Sequence, residues 1–159
     1  MLNPLPSEVD VAVIGAGSAG LPAFRAAREH TDRVILIERG PHGTTCARVG
    51  CMPSKLLIAA AEAAHGMEIA PGFGIHPGSI KIDGEAVMER VRRERDRFVG
   101  FVLDGVDRID PEQKISGQAR FVEDSRLEIG NSQVRAGRVV IASGTSPAIP
   151  DFLEQVRDR

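Results

Sequence analysis

Apolar residues form short, nearly continuous runs near the N-terminus of the chain. Residues 9–14 are apolar except for Asp10, and residues 33–38 contain Val-Ile-Leu-Ile before a glutamate. Such runs are typical of strands buried on both faces of a parallel sheet. Between them, residues 21–30 place apolar side chains at helical spacing. This part of the sequence therefore predicts a βαβ unit, preceded by a loose, proline-containing tail over residues 1–7.

The middle of the chain predicts two helices joined by a loop. The first helix runs from Cys51 to His65, with Gly66 as its C-terminal stop. Residues 67–81 are rich in proline and glycine, which indicates a loop. Asp83 is expected to cap a second, long helix whose polar face alternates arginine with acidic residues.

After Pro111 the pattern favours strands. Gly130-Asn131 is suited to a two-residue hairpin, so an antiparallel meander is expected, followed by another buried strand. The strands of the meander are predicted over residues 114–121, 126–129 and 132–136, and the buried strand over residues 139–142.

Composition limits the function. A chain of 159 residues is about one domain, and its net charge of −2 arises from 20 basic and 22 acidic residues without long blocks of either sign. We therefore expect no nucleic-acid partner and no membrane partner. The first residues lack a basic start and an apolar core, so a cytoplasmic location is expected, where disulfides are usually catalytic. Small-molecule chemistry is favoured.

A glycine-rich turn joins the first strand to the first helix. Residues 15–20 read G-x-G-x-x-G, and the second strand ends on Glu38. In a dinucleotide-binding βαβ unit, Gly15 allows the tight turn, Gly17 lets a pyrophosphate approach the backbone, and Gly20 lets the helix pack closely on the strand. The carboxylate would accept hydrogen bonds from ribose hydroxyls. The alternative is a glycine-rich turn that binds nothing.

Cys46 and Cys51 are the two cysteines of the chain. They are separated by four residues and can close a small disulfide ring, and Pro53 places Cys51 at a helix N-terminus, where the N–H groups favour a thiolate. A redox pair is the main interpretation. A structural disulfide, a zinc site with His42 as the nearest further ligand, and two inert thiols are the alternatives.

These motifs together resemble the pyridine-nucleotide disulfide oxidoreductases, and most closely the dihydrolipoyl dehydrogenases. The resemblance rests on residues 15–20, Glu38 and the segment from Cys46 to the Pro-Ser-Lys that ends at Lys55. It implies that the first nucleotide-binding fold holds FAD. It also implies that Cys46 exchanges with substrate, that Cys51 contacts the flavin, and that Lys55 lies near the reactive nitrogen of the flavin.

The cofactor-binding residues that the resemblance implies come from four segments of the chain. They are Gly15, Gly17, Ser18, Ala19, Gly20, Glu38, Arg39, Gly43, Thr44, Thr45, Cys46, Gly50, Cys51, Lys55, Ala119, Ser143 and Gly144, with no metal ligand among them. Three positions affect the expected substrate. Thr44 stands where a glycine is usual and Arg48 where an asparagine is common. Ser54 favours a lipoamide or mercuric reductase type, because glutathione reductases commonly have lysine there.

The expected fold class is a Rossmann-like, three-layer α/β domain with a parallel sheet, helices on one face and the small meander on the other. Residues 8–147 would form the FAD-binding domain, and residues 148–159 would begin a linker to an NAD-binding domain. The implied reaction passes electrons from dihydrolipoamide through the cysteines and FAD to NAD, in a full-length homodimer. The alternatives are a mercuric or glutathione reductase-like member and a non-catalytic dinucleotide-binding module.

The chain by itself is not expected to catalyse NAD-linked turnover. No second G-x-G-x-x-G follows Gly144, so a nicotinamide has no site in these residues.

Overall fold

The computed structural model describes residues 5–146 and 148–156. The described residues contain six strands and four α-helices, together with 3-10 helices at Ala70–Phe73 and Asp151–Val156. In chain order the elements are β1 (Glu8–Ile14), α1 (Gly20–Arg28), β2 (Val34–Glu38), α2 (Thr45–Val49), α3 (Cys51–Ile69), α4 (Gly84–Asp107), β3 (Lys114–Ser116), β4 (Ala119–Glu123), β5 (Arg126–Ile129) and β6 (Ser132–Ile141).

The strands form one sheet in the order β3-β2-β1-β6-β5-β4. The pairs β1–β2, β1–β6 and β2–β3 are parallel, whereas β4–β5 and β5–β6 are antiparallel. Strand β6 belongs to both parts, because Arg135 pairs with Arg126 of β5 and with Glu8 of β1. The meander and the parallel sheet are therefore joined through one long strand.

Two apolar clusters lie on opposite faces of the parallel sheet. On one face, Ala12 and Ile37 pack with Leu127 and Val134 of the meander. On the other face, Val13 and Leu36 pack with Phe24 of α1, and Val106 of α4 belongs to the same cluster. Alternate side chains of each strand point to opposite faces, so β1 and β2 supply both clusters. The expected three-layer α/β fold is confirmed.

Helix α3 extends beyond the predicted stop at Gly66 and ends at Ile69. A Cβ at Gly66 would meet no atom within 4 Å, so packing does not require a glycine at this position. Pro71 interrupts the α-helical hydrogen bonding instead, because it has no backbone N–H to donate to the residue four positions earlier. The predicted loop over residues 67–81 consequently begins with helix and with the 3-10 turn Ala70–Phe73. The cap at Asp83 is as predicted: Oδ1 accepts a hydrogen bond from Ala86 N at 3.0 Å.

Two strand predictions were wrong in their boundaries. The single strand expected over residues 114–121 is broken at Gly117, whose φ of +156° turns the chain from β3 to β4, on opposite edges of the sheet. The strands expected over residues 132–136 and 139–142 are one strand, because Gly137 continues the extended backbone beside β1. A Cβ at Gly137 would lie 3.1 Å from Asp10 O, so the missing side chain permits this close pairing.

Among the described helices, none combines the length and the apolar character that a membrane span requires.

Candidate functional site

The carboxyl ends of the parallel strands bring the glycine-rich turn and the cysteine segment to one edge of the sheet. Strand β1 ends at Ile14, β2 at Glu38 and β6 at Ile141, and the segments that follow each strand start there. In open α/β sheets, ligands bind outside this edge, where neighbouring connections diverge. A groove lined by Pro6, Arg33 and Gln113 lies at the amino ends of β1 and β2, so it is separate from these motifs.

Gly15 and Gly20 occupy positions that no larger residue can fill. Gly15 has a φ of +102°, and a Cβ there would lie 2.2 Å from Ala142 O. A Cβ at Gly20 would lie 1.7 Å from Gly15 O. The turn, the start of α1 and the end of β6 are therefore in direct backbone contact. The sequence pattern predicts both features, the tight turn at Gly15 and the close packing of the helix at Gly20.

Gly17 differs from these two glycines because it faces open space. A Cβ at Gly17 would meet no atom within 4 Å, and Ser18 and Ala19 beside it are exposed. Backbone N–H groups in the first turn of a helix lack intrahelical partners and attract anions. The turn thus leaves accessible backbone at the place where a pyrophosphate would approach.

The carboxylate of Glu38 is held by backbone donors on both sides. Ala16 N donates to Oε2 at 2.7 Å, and Gly40 N donates to Oε1 at 2.8 Å. Each carboxylate oxygen can accept a second hydrogen bond, so acceptor capacity for a ribose remains. Ala16 and Gly40 are not among the residues predicted from the sequence, although both lie within two residues of a predicted site residue.

Several other predicted residues lie at or near the same edge of the sheet. Gly117 N donates to Glu38 O at 2.9 Å, and Ala119 follows two residues later at the start of β4. Ser143 and Gly144 are exposed beyond the end of β6, close in sequence to Ala142, which the glycine turn contacts. Arg39 is exposed immediately after β2. Gly117 is a further residue that the sequence pattern did not indicate.

Cys46 and Cys51 lie at the starts of two successive helices. Cys46 is in the first turn of α2, and Cys51 is the first residue of α3. Both are free thiols in this structure, Cys46 partly buried and Cys51 exposed. A side-chain hydrogen bond with Cys51 raises the pKa of the Cys46 thiol; desolvation also raises this pKa, and the nearby charge of Lys55 opposes the increase. The two thiols and Lys55 are therefore neighbours, and the disulfide remains a prediction.

The loop before α2 has a backbone conformation that is unusual for its residues. Thr44 has φ +58° and ψ 146°, at the edge of a region that is essentially restricted to glycine. Its Oγ1 accepts a hydrogen bond from Ala47 N at 3.1 Å, and its carbonyl accepts one from Arg48 N at 3.1 Å. Thr44 is thus a strained residue that also caps the helix containing Cys46.

Gly43 and Gly50 flank this short helix in tight surroundings. A Cβ at Gly43, where φ is +106°, would lie 3.0 Å from Val99 Cγ1 of α4. A Cβ at Gly50 would lie 3.2 Å from Thr45 O. Next to Gly43, the buried Nδ1 of His42 has no hydrogen-bond partner within residues 5–146 and 148–156. No cluster of three or more His, Cys, Asp or Glu side chains suited to a metal occurs in the described parts of the chain.

The site therefore combines an open backbone turn, a carboxylate aligned by two N–H groups and two adjacent thiols. The first two features fit the pyrophosphate and the ribose of a dinucleotide. Adjacent thiols can be oxidised to a disulfide or can bind a soft metal ion as thiolates.

Sequence comparisons give a consistent result. The model of the family described as pyridine nucleotide-disulphide oxidoreductase matches residues 9–158. A mercuric reductase of Streptomyces lividans is 36% identical over 159 residues, covering 92% of this chain and 33% of that protein. A glutathione reductase of Burkholderia cepacia is 32% identical over 143 residues, covering 90% of this chain and 32% of that protein. The chain spans about a third of the length of these relatives.

A solved structure shares the fold. The copper(II) complex of the HOCl-induced flavoprotein disulfide reductase RclA from Escherichia coli superposes with a TM-score of 0.65 at 22% identity, over 92% of this chain and 31% of that one. At this level of identity the likeness concerns the fold.

Substitutions of Thr44 should separate backbone strain from helix capping. Thr44→Ala removes the cap and keeps the strain, so it should lower the free energy of unfolding by about 1 kcal/mol. Thr44→Gly loses only a few tenths of a kcal/mol as a cap and relieves strain on the order of 1–3 kcal/mol, so it should be at least as stable as the parent. Urea unfolding followed by circular dichroism measures both. A glycine variant less stable than the alanine variant would contradict the assigned strain.

Cys51→Ala should lower the pKa of Cys46 toward its ordinary value, because the hydrogen bond that raises it most is lost. Below that pKa, the thiolate fraction of Cys46 should rise and alkylation should become faster. Mass spectrometry of iodoacetamide labelling across pH, in a phosphine reductant, measures this. Lys55→Met provides the control of opposite sign, because it removes the cation that lowers the pKa. A midpoint for Cys46 that stays constant or rises in Cys51→Ala would disprove the coupling.

Proposed function

The chain belongs to the pyridine nucleotide-disulphide oxidoreductase family, whose members are FAD-dependent oxidoreductases, and we propose that it is the FAD-binding, redox-disulfide part of such an enzyme. The observation that carries the proposal is the placement of the open Gly17 turn, the aligned Glu38 carboxylate and the cysteine pair along one edge of the sheet. The activity of the whole enzyme is also proposed, because the chain covers about a third of the length of its relatives.

The residues of this site fit FAD. Gly17 leaves room for a pyrophosphate against the start of α1, whose N-terminus carries partial positive charge. Glu38 is fixed by Ala16 N and Gly40 N, so it can accept from ribose hydroxyls without reorganising. Ser143 and Gly144 lie beyond β6, beside the glycine turn. When bound, FAD supplies two-electron exchange with a dithiol and with a nicotinamide.

The cysteine pair would be the group that exchanges with substrate. Cys46 and Cys51 are close enough to hydrogen-bond, and Lys55 adds a positive charge nearby. By the family resemblance, Cys46 would attack or bind the substrate, and Cys51 would lie next to the flavin. The pKa of the Cys46 thiol is raised by the hydrogen bond with Cys51 and by desolvation, and the charge of Lys55 opposes this increase and so favours the reactive thiolate.

For the substrate, we place a mercuric reductase-like role first. The relatives compared are mercuric reductases and a glutathione reductase, so the expected preference for dihydrolipoamide is not supported by them. Two adjacent thiols suit a soft metal ion, and Ser54 stands where glutathione reductases commonly have lysine. A disulfide-reducing role is the second candidate, favoured by the 32% identity to the Burkholderia cepacia enzyme.

Other domains and a second subunit would complete the enzyme. Several large apolar side chains are strongly exposed, including Phe73 at 78%, Ile141 at 68% and Phe152 at 80%. Large apolar side chains that are exposed in a single domain can be buried against neighbouring domains. The proposal accordingly includes an NAD-binding domain, a homodimer and a cytoplasmic location for the full-length protein.

Gly17→Val should weaken FAD binding without unfolding the chain. The added side chain meets no protein atom but occupies the approach of the pyrophosphate, so FAD affinity should fall at least about tenfold, or 1.4 kcal/mol. Spectroscopic titration with FAD and with NAD measures affinity, and circular dichroism checks folding. The chain has no Trp or Tyr, so flavin absorbance is easily resolved. Equal FAD binding by parent and variant, or tighter binding of NAD than of FAD, would overturn the assignment.

The cysteine pair should exchange electrons with bound FAD. We expect anaerobic dihydrolipoamide or dithiothreitol to bleach the flavin absorbance of the FAD-loaded parent chain, and Cys46→Ala to remove the rapid phase. After the excess dithiol is removed anaerobically, addition of Hg(II) or of glutathione disulfide distinguishes the two substrate candidates by which one accepts the electrons and restores the colour. The same rapid bleaching in Cys46→Ala would show that the pair has no redox role.

A further inference from the structure

We infer that Thr44 is a positioning residue that sets the redox equilibrium of the Cys46–Cys51 pair, an inference that rests on the proposed redox function. Thr44 lies two residues before Cys46, and its side chain and carbonyl both accept hydrogen bonds from the helix that contains Cys46.

The helix that carries Cys46 cannot maintain itself. Helix α2 has five residues, Thr45–Val49, and isolated helices shorter than about 12 residues are marginal in water. One of its side chains, Ala47, is buried and anchors it to the rest of the fold. At its start, Thr44 adds two hydrogen bonds, to Ala47 N at 3.1 Å and to Arg48 N at 3.1 Å.

The backbone conformation of Thr44 indicates that its side chain helps to hold it in place. With φ +58° and ψ 146°, a glycine would be free of strain and a threonine is not. A non-glycine residue persists at such angles only when its surroundings hold it there. The hydroxyl of Thr44 supplies such an interaction, because it accepts the N–H of a residue in the helix it precedes. The backbone of Thr44 is therefore strained, but its hydroxyl fixes the start of the helix.

The start of α2 determines where Cys46 lies relative to Cys51. Cys51 is the first residue of the 19-residue helix α3, so the position of Cys46 relative to Cys51 depends on how α2 begins. The disulfide holds both cysteines in place, so its formation restricts the reduced thiols. A reduced pair that is already held close loses less conformational freedom and is oxidised more readily. A Cβ at Gly50, the residue before Cys51, would lie 3.5 Å from Cys46 Cα, so a capped α2 keeps Cys46 beside Cys51, which should favour the disulfide.

The equilibrium can be measured with glutathione. Cys46–SH and Cys51–SH react with glutathione disulfide to give the Cys46–Cys51 disulfide and two molecules of glutathione, which carry the two thiol protons and the two electrons. We expect Thr44→Ala to lower this equilibrium constant about three- to tenfold, which makes the potential about 14 to 30 mV less negative at 29.6 mV per tenfold. Thr44→Ser keeps the hydroxyl and should retain the parent value.

Two further variants separate positioning from stability. Thr44→Gly relieves the backbone strain and loses little as a cap, so the chain should fold and its equilibrium constant should lie between those of the parent and the alanine variant. Asp83→Ala removes an equivalent cap from α4, where Oδ1 accepts from Ala86 N at 3.0 Å, and should leave the equilibrium unchanged. Intact mass after acid quenching and alkylation reports the dithiol and disulfide fractions for all the variants.

The outcomes distinguish this inference from the proposed function. If the parent forms the disulfide and both Thr44→Ala and Thr44→Gly match it, Thr44 has no positioning role and the redox function stands. An equal fall in Asp83→Ala would assign the effect to general stability and would also overturn the inference. If the parent never forms the disulfide in the glutathione buffers, the redox function fails, and the role of Thr44 fails with it.

Discussion

The two hydrogen bonds to the Glu38 carboxylate link the separate parts of this site. Ala16 N and Gly40 N donate to opposite oxygens of one side chain, at 2.7 and 2.8 Å. The first bond ties the glycine turn after β1 to the end of β2, and the second sets the direction in which the chain leaves β2 toward the cysteines. Hydrogen bonds from N–H groups to a carboxylate are roughly twice as strong as those between neutral groups. One ionised side chain therefore orients both the turn and the approach to the redox segment.

Close backbone packing supports this arrangement from the other side. Gly15 and Gly20 bring the turn against Ala142 at the end of β6, at distances that a Cβ would make impossible. Strand β6 in turn carries the meander that covers the opposite face of the sheet. The two apolar clusters hold the strands in register, so the carboxyl ends of β1, β2 and β6 cannot move independently. The rigidity of the sheet thus preorganises the edge at which we propose the cofactor binds.

The cysteine segment is held less firmly than the dinucleotide edge. Helix α3 has no fully buried residue, and α2 contributes Ala47 alone to the buried set. Local order in this segment comes from caps and tight glycines, at Thr44, Gly43 and Gly50. A segment with few buried contacts opens more easily than a core strand. In the proposed function, the cysteines must reach both a substrate and a cofactor, and a segment that opens more easily than the sheet allows this movement.

The sequence by itself determined the βαβ unit, the roles of Gly15 and Gly20 and the cap at Asp83, because each follows from local periodicity or from backbone sterics. The structure alone decided where the strands break and join. Gly117 separates β3 from β4 and Gly137 continues β6, although both are glycines in strand-like sequence, because pairing partners distant in the chain select the conformation. Helix α3 passed Gly66 because glycine weakens a helix by about 1 kcal/mol and does not by itself end one. Likewise, the strain at Thr44 and the contact of the two thiols depend on φ, ψ and distance, which residue spacing does not encode.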